Sequence, residues 1–160
     1  MQPLFCTIFA VLALLCGVLP MQVSAAPAPA LTHVEAVALW AEETSPIAAE
    51  RDYPNRLPEG VVFRGENLYI KTRFIGYPAW NLLTYRSGSE AGRILDYREV
   101  ERTPLTDGTR VIIGYEQTVM IPFRELGTAE FELCISAADA GSGTPRYAYV
   151  RGIRTERAPQ

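Results

Sequence analysis

The sequence has little of what reactive extracellular chemistry needs. It holds one histidine, His33, one lysine, Lys71, and three cysteines in 160 residues. Cys6 and Cys16 lie in an apolar run at the start of the chain, which leaves Cys134 alone in the remainder. That remainder cannot close an internal disulfide, so a disulfide-stapled scaffold of the kind common among small secreted domains is excluded. One His and one Cys make no zinc site without carboxylates. Glu99 and Glu101 share a strand face, but nothing beside them completes a metal cage. Thr106-Asp107-Gly108 lacks the other oxygen ligands of a calcium loop. A Cys–His nucleophile would need Cys134 and His33 to meet, and nothing around Cys134 is set to lower its pKa. Asn55, Asn67 and Asn81 all lack the hydroxyl residue two positions on, so no N-glycosylation is expected. The expectation is a chain with no cofactor, no metal and no catalytic residue.

What is present first is a targeting pattern. Leu4 to Leu19 is apolar and uncharged, short for a membrane span. Val23 and Ala25 sit at the -3 and -1 positions of a cleavage site before Ala26. Residues 1–25 are therefore expected to be a secretory signal peptide. Its n-region carries no basic side chain, which eukaryotic signals tolerate better than bacterial ones. The expected location is extracellular, with the bacterial periplasm as the alternative. Residues 26–30 form an Ala/Pro spacer. Residues 31–160 have the size of one domain. The net charge of -3 is mild and argues against a general nucleic-acid binder. No later apolar run is long enough to span a membrane.

The domain should begin with a helical segment at about 32–52. Thr32 and Glu35 have capping-box spacing before good helix formers. A competing strand reading puts Val34, Ala36, Ala38 and Trp40 on one face. Ser45-Pro46 fits the start of a second short helix. From residue 66 the period changes to two. Leu68, Ile70, Thr72 and Phe74 alternate, as do Val111, Ile113, Tyr115, Gln117, Val119 and Ile121. "WNLLTYR", "RILDYREVE" and "RYAYVRGIRT" complete a set of short strands joined by Gly, Pro and Asp turns. The expected fold is a mainly β, antiparallel sandwich with the helical segment added.

In "FELCISA", Phe131, Leu133, Ile135 and Ala137 alternate toward the core. Cys134 therefore faces the other way with Glu132 and Ser136. It is expected as a small, unreactive free thiol, or else as the point of a covalent dimer. The charge layout marks the last strand. Arg146, Arg151 and Arg154 are interleaved with Tyr147 and Tyr149, a composition suited to an interface hot spot, to a polyanion, or simply to a soluble sheet edge. These five residues are the candidate binding set.

Three resemblances bear on function. "ELCISAADAGSG" resembles the strand and Gly-Ser-Gly turn of periplasmic lysozyme inhibitors. That likeness implies an inhibitory loop at Gly141, Ser142 and Gly143, with Tyr147 nearby. The order Arg64, Ser87-Gly88-Ser89, Glu99-Val100-Glu101 is similar to the three elements of ADP-ribosyltransferases, and would make Arg64 and Glu101 partners in one cleft. The signal "LLCGVLPMQVSAAPAPA" ahead of one small domain resembles small secreted effector-type proteins of plant-associated fungi. That likeness implies a non-enzymatic module that binds an unknown protein, the reading the residues favour.

Overall fold

The computed structural model describes residues 28–49, 55–58 and 60–157. The expected signal peptide and the start of the spacer fall outside these residues, as do residues 50–52 of the expected helical segment. The described chain is mainly β. In order the strands are β1 His33–Ala41, β2 Thr44–Ala48, β3 Asn55–Arg56, β4 Phe63–Gly65, β5 Asn67–Ile75 and β6 Pro78–Arg86. Next come β7 Arg93–Ile94, β8 Arg98–Thr106, β9 Ile112–Pro122, β10 Phe131–Asp139, β11 Pro145–Ile153 and β12 Thr155–Arg157. A single 3-10 turn, Phe123–Glu125, is the only helical element among the described residues.

One five-stranded sheet runs β2-β1-β5-β9-β8 and a second runs β3-β11-β10-β6-β7. Their ladders are antiparallel, apart from the short parallel pairing of β3 with β11. A two-stranded parallel ribbon joins β12 to β4. Inward side chains from both large sheets form one hydrophobic cluster. Leu39, Leu68, Ile70, Phe74 and Ile121 come from the first, and Leu83, Leu133, Ile135, Val150 and Ile153 from the second. No disulfide contributes among the described residues, where Cys134 is free, so burial of these side chains, worth about 1.5–3 kcal/mol each, must offset the chain entropy.

The expected N-terminal helices are not there. Residues 33–41 form β1, paired antiparallel to β5, and residues 44–48 form β2 along its outer edge. The strand alternative is also out of register in its second half. A bulge between Ala36 and Ala38 inserts one residue and reverses the facing of the residues beyond it. Val34 and Ala36 point inward, then Leu39 and Ala41 do. Trp40 instead turns outward and stacks on Tyr69, ring centroids 5.6 Å apart. The resulting inward spacing of two, three, two imitates a helical stripe. Pro46 is tolerated because β2 is an edge strand.

"RILDYREVE" is not one strand. Arg93–Ile94 pairs with β6 in the second sheet, Leu95 is buried, and β8 continues in the first sheet. β8 is an exposed edge. Its charges, Pro104 and two bulges blunt it against further pairing. At the turn before β6, Gly76 has φ +91° and lies against the Ala30 backbone, where a Cβ would collide.

The bulged register predicts that Leu39→Ala, at a fully buried site, loses about 2–5 kcal/mol of stability. Ala38→Ser, one position away, should cost less than about 1 kcal/mol. Urea unfolding of the two variants checks this; equal losses would mean the helical facing was right.

Candidate functional site

The outer faces of the two sheets differ in kind. On the first sheet the outward positions of β5 and β9 hold Lys71, Arg73 and Glu116, beside Tyr69 under the Trp40 ring. Arg73 donates to Glu116 at 2.7 Å and lies 3.5 Å from Glu35, while Lys71 reaches Glu116 at 3.0 Å. Such a face is solvated by its own ion pairs.

The second sheet turns an apolar and aromatic face outward. Because Leu133, Ile135 and Ala137 of β10 point into the core, Cys134, Ser136 and Ala138 point away from it. Cys134 lies between Tyr149 of β11 and Thr84 of β6, and Ser136 between Tyr147 and Leu82. Ala138 lies between Pro145 and Trp80. The middle strand thus has small side chains and its neighbours bulky ones. The result is a trough over β10, spanning two interstrand spacings or about 10 Å. Trp80 is 47% exposed, Tyr147 49% and Leu82 37%, so its walls stand in solvent. Tyr147 and Tyr149 stack along their strand with centroids 6.2 Å apart.

The trough is closed at one end by charge. Glu132 of β10 accepts from Arg86 at 2.9 Å and from Arg151 on the opposite side. A cavity of about 260 Å³ lies against this bar. The other end is the β10–β11 turn, organised by Asp139. Its carboxylate accepts from the backbone N–H groups of Ser142 at 2.7 Å and Gly141 at 3.1 Å, and from the Ser142 hydroxyl at 2.9 Å. It also accepts from the Leu31 N–H at 2.6 Å, where the chain runs toward β1. Hydrogen bonds from Ser142 and Leu31 hold its pKa down to about 2.

The candidate set from the last strand is divided by the strand's own alternation. Tyr147, Tyr149 and Arg151 share the trough face. Arg146, opposite Ala137, is on the other face, and Arg154 lies just past the end of the strand and pairs with Glu130 at 3.0 Å. Arg154 is matched by Glu130, while Arg151 shares Glu132 with Arg86, so the cluster keeps an excess of only one positive charge, little for a polyanion. Of the loop residues, Ser142 commits its hydroxyl to Asp139 and Thr144, while Tyr147 lies on the sheet face. Arg64 pairs with Glu156, and Glu99 with Arg102 and Gln117; Glu101 contacts Thr103. Arg64 and Glu101 thus have separate partners. His33 sits beside Glu35 on the first sheet, apart from Cys134 on the second.

Sequence reading missed Trp80, Leu82 and Ile94, the last 62% exposed. The signal for the first two was present: Trp80 and Leu82 alternate with Asn81 and Leu83 in "WNLLTYR", and two large apolar residues on one face of a strand had to be buried or presented. Among the described residues no group of three or more His, Cys, Asp or Glu could hold a metal. No helix among them is long and apolar enough to cross a membrane. The arrangement offers shape and apolar contact, and places no acid–base pair at the trough.

Burial, with a smaller push from Glu132, raises the Cys134 thiol's pKa against the Tyr149 hydrogen bond. The native thiol should therefore react with a disulfide reagent at pH 7 at least tenfold more slowly than in urea; equal rates would contradict its half-buried setting. Asp139 gives a second expectation. Its folded pKa lies below the unfolded value, so its contribution to stability is full above about pH 4 and is lost as pH falls from about 4 to 2. Thermal melts across that range should show the loss in the native chain and a weaker one in Asp139→Asn. Parallel curves would contradict the role given to the carboxylate.

A family model described as "Domain of unknown function (DUF4879)" matches residues 26–149. That span includes Trp80, Leu82, Cys134, Ser136, Tyr147 and Tyr149, and ends before Arg151. No curated protein matches the chain.

Proposed function

We propose that this chain, which belongs to the DUF4879 family, is a secreted, non-enzymatic module that binds a protein partner on the outer face of its second sheet. In this reading the two large sheets pack face to face as a β-sandwich, a rigid support whose hydrophobic cluster draws on both. The observation that carries it is the cluster of Trp80, Leu82 and Tyr147 presented to water on neighbouring strands of the second sheet, whereas the first sheet pairs Lys71, Arg73 and Glu116 and stacks Trp40 on Tyr69. Exposed aromatic patches with a charged rim mark interaction sites. The matched family region begins at Ala26, the residue after the expected cleavage position, which supports a division into signal and domain. The small size and the signal accord with an effector-type protein acting on a host protein. Ser142 is already held by Asp139, which favours the sheet face over a loop-insertion inhibitor.

The test is capture of binding proteins from extracellular fluid by immobilised native chain, Trp80→Ala and Tyr147→Ala. Each substitution should weaken recovery of the same partner about 30-fold, the scale of an aromatic hot spot, with melting temperatures preserved. Undiminished capture by both variants would place the interface elsewhere.

A further inference from the structure

The trough has a repeat as well as a shape. Its open floor is made by Cys134 and Ser136, alternate residues of one strand about 6.8 Å apart; Ala138, next in the row, is covered, with only 3% of its surface exposed. An extended chain laid along β10 repeats its side chains at the same interval, whereas successive turns of a helix are about 5.4 Å apart. The floor and an extended segment are therefore commensurate over its two open positions. The walls carry no ionised side chain between the bar and the turn: Tyr147, Tyr149, Trp80 and Leu82 are neutral. At the bar, two guanidiniums meet one carboxylate, an excess of one positive charge beside the 260 Å³ cavity. The face is also small. Its length of about 20 Å and its width of about 10 Å give a footprint of roughly 200 Å², about a quarter of what a standard globular interface buries per partner, about 800 Å². That suits a slender ligand better than a second folded domain.

We infer that the partner enters as an extended segment lying along β10. Two bulky uncharged side chains at i and i+2 sit over Ser136 and Cys134. A carboxylate beyond the last of them meets Arg86 and Arg151. The inference rests on the binding reading above and adds the chemistry of what is bound.

The probes are synthetic isomeric peptides. One alternates Ser and Leu over five residues, with Leu at the second and fourth, and carries a terminal Asp; the other has the same composition with its two Leu adjacent. Each is made with Asp at either end. They are titrated into the ¹⁵N-labelled full chain, and the amide shifts of residues 132–138 and Trp80 are followed. An alternating peptide should bind at least tenfold more tightly than its isomer. Ser136→Tyr, which fills the floor at a half-buried outward position, should abolish the shifts while the melting temperature is kept. Cys134→Phe serves as a second filled floor should Ser136→Tyr not fold. Equal binding of the isomers, or binding that survives both filled floors, overturns the inference. No peptide binding while partner capture still depends on Trp80 and Tyr147 overturns it too, and leaves the binding reading standing. Concentration-dependent self-association lost in Ser136→Tyr would show that a second copy covers the face, which also contradicts it.

Discussion

One carboxylate ties the two sheets together at the end where the described chain begins. Asp139 belongs to β10 in the second sheet, yet it accepts from Leu31 on the way into β1 of the first. The same group gathers the Gly141 and Ser142 donors of the β10–β11 turn. It therefore fixes both where the N-terminal strand starts and how β11 returns against β10. The trough exists because that return sets Tyr147 opposite Ser136 and Tyr149 opposite Cys134. A slip of one residue would put the tyrosines in the core and Ala148 and Val150 in water. With no disulfide to hold the turn, these hydrogen bonds and the apolar cluster carry the whole constraint. Glu42 plays a similar part at another corner. Burial opposes its ionisation, but donation from Asn67 and the Glu66 backbone prevails and lowers its pKa.

The two outer faces show how one architecture separates support from presentation. Ion pairs on the first sheet satisfy one another and ask nothing of a partner. On the second, the middle strand gives up bulk at three successive outward positions, and the neighbours cover Ala138 but leave Cys134 and Ser136 part-exposed. Packing inside is dense, with Leu133, Val150 and Ile153 fully buried directly beneath. The floor therefore cannot deform to close the trough, and a ligand meets a surface already in shape. The Cys134 thiol belongs to this floor as a small side chain, its proton held by burial.

Much of this order was legible in the sequence. β5 alternates without interruption, and the inward residues of β9 from Tyr115 to Ile121 and of β10 from Phe131 to Ala137 were identifiable from period alone, as was the outward facing of Cys134. Val111, read as the first of β9's alternating set, lies before the strand and is 56% exposed. β1 was not, because its bulge turns a period of two into a spacing that helix propensity claims. The β7–β8 stretch was not either. A strand that changes sheet at Leu95 reads as continuous while its neighbours change. For the site, Tyr147, Tyr149 and Arg151 were visible as a patterned run, but alternation should also have set Arg146 aside. Trp80 and Leu82 were legible as two large apolar residues on one strand face, but not as a presented pair. Which face of β6 is covered is decided by the other sheet, and nothing local to "WNLLTYR" contains that fact.

The central claim is that the outer face of the second sheet is the working surface of this protein. Hydrogen exchange of the full chain, compared free and in complex with the partner it captures, tests that most directly. The account predicts new protection confined to the outer strands of the second sheet, strongest over residues 132–138 and 145–151, with β5 and β9 unchanged. Protection centred on β8 or on the charged face of the first sheet would contradict it.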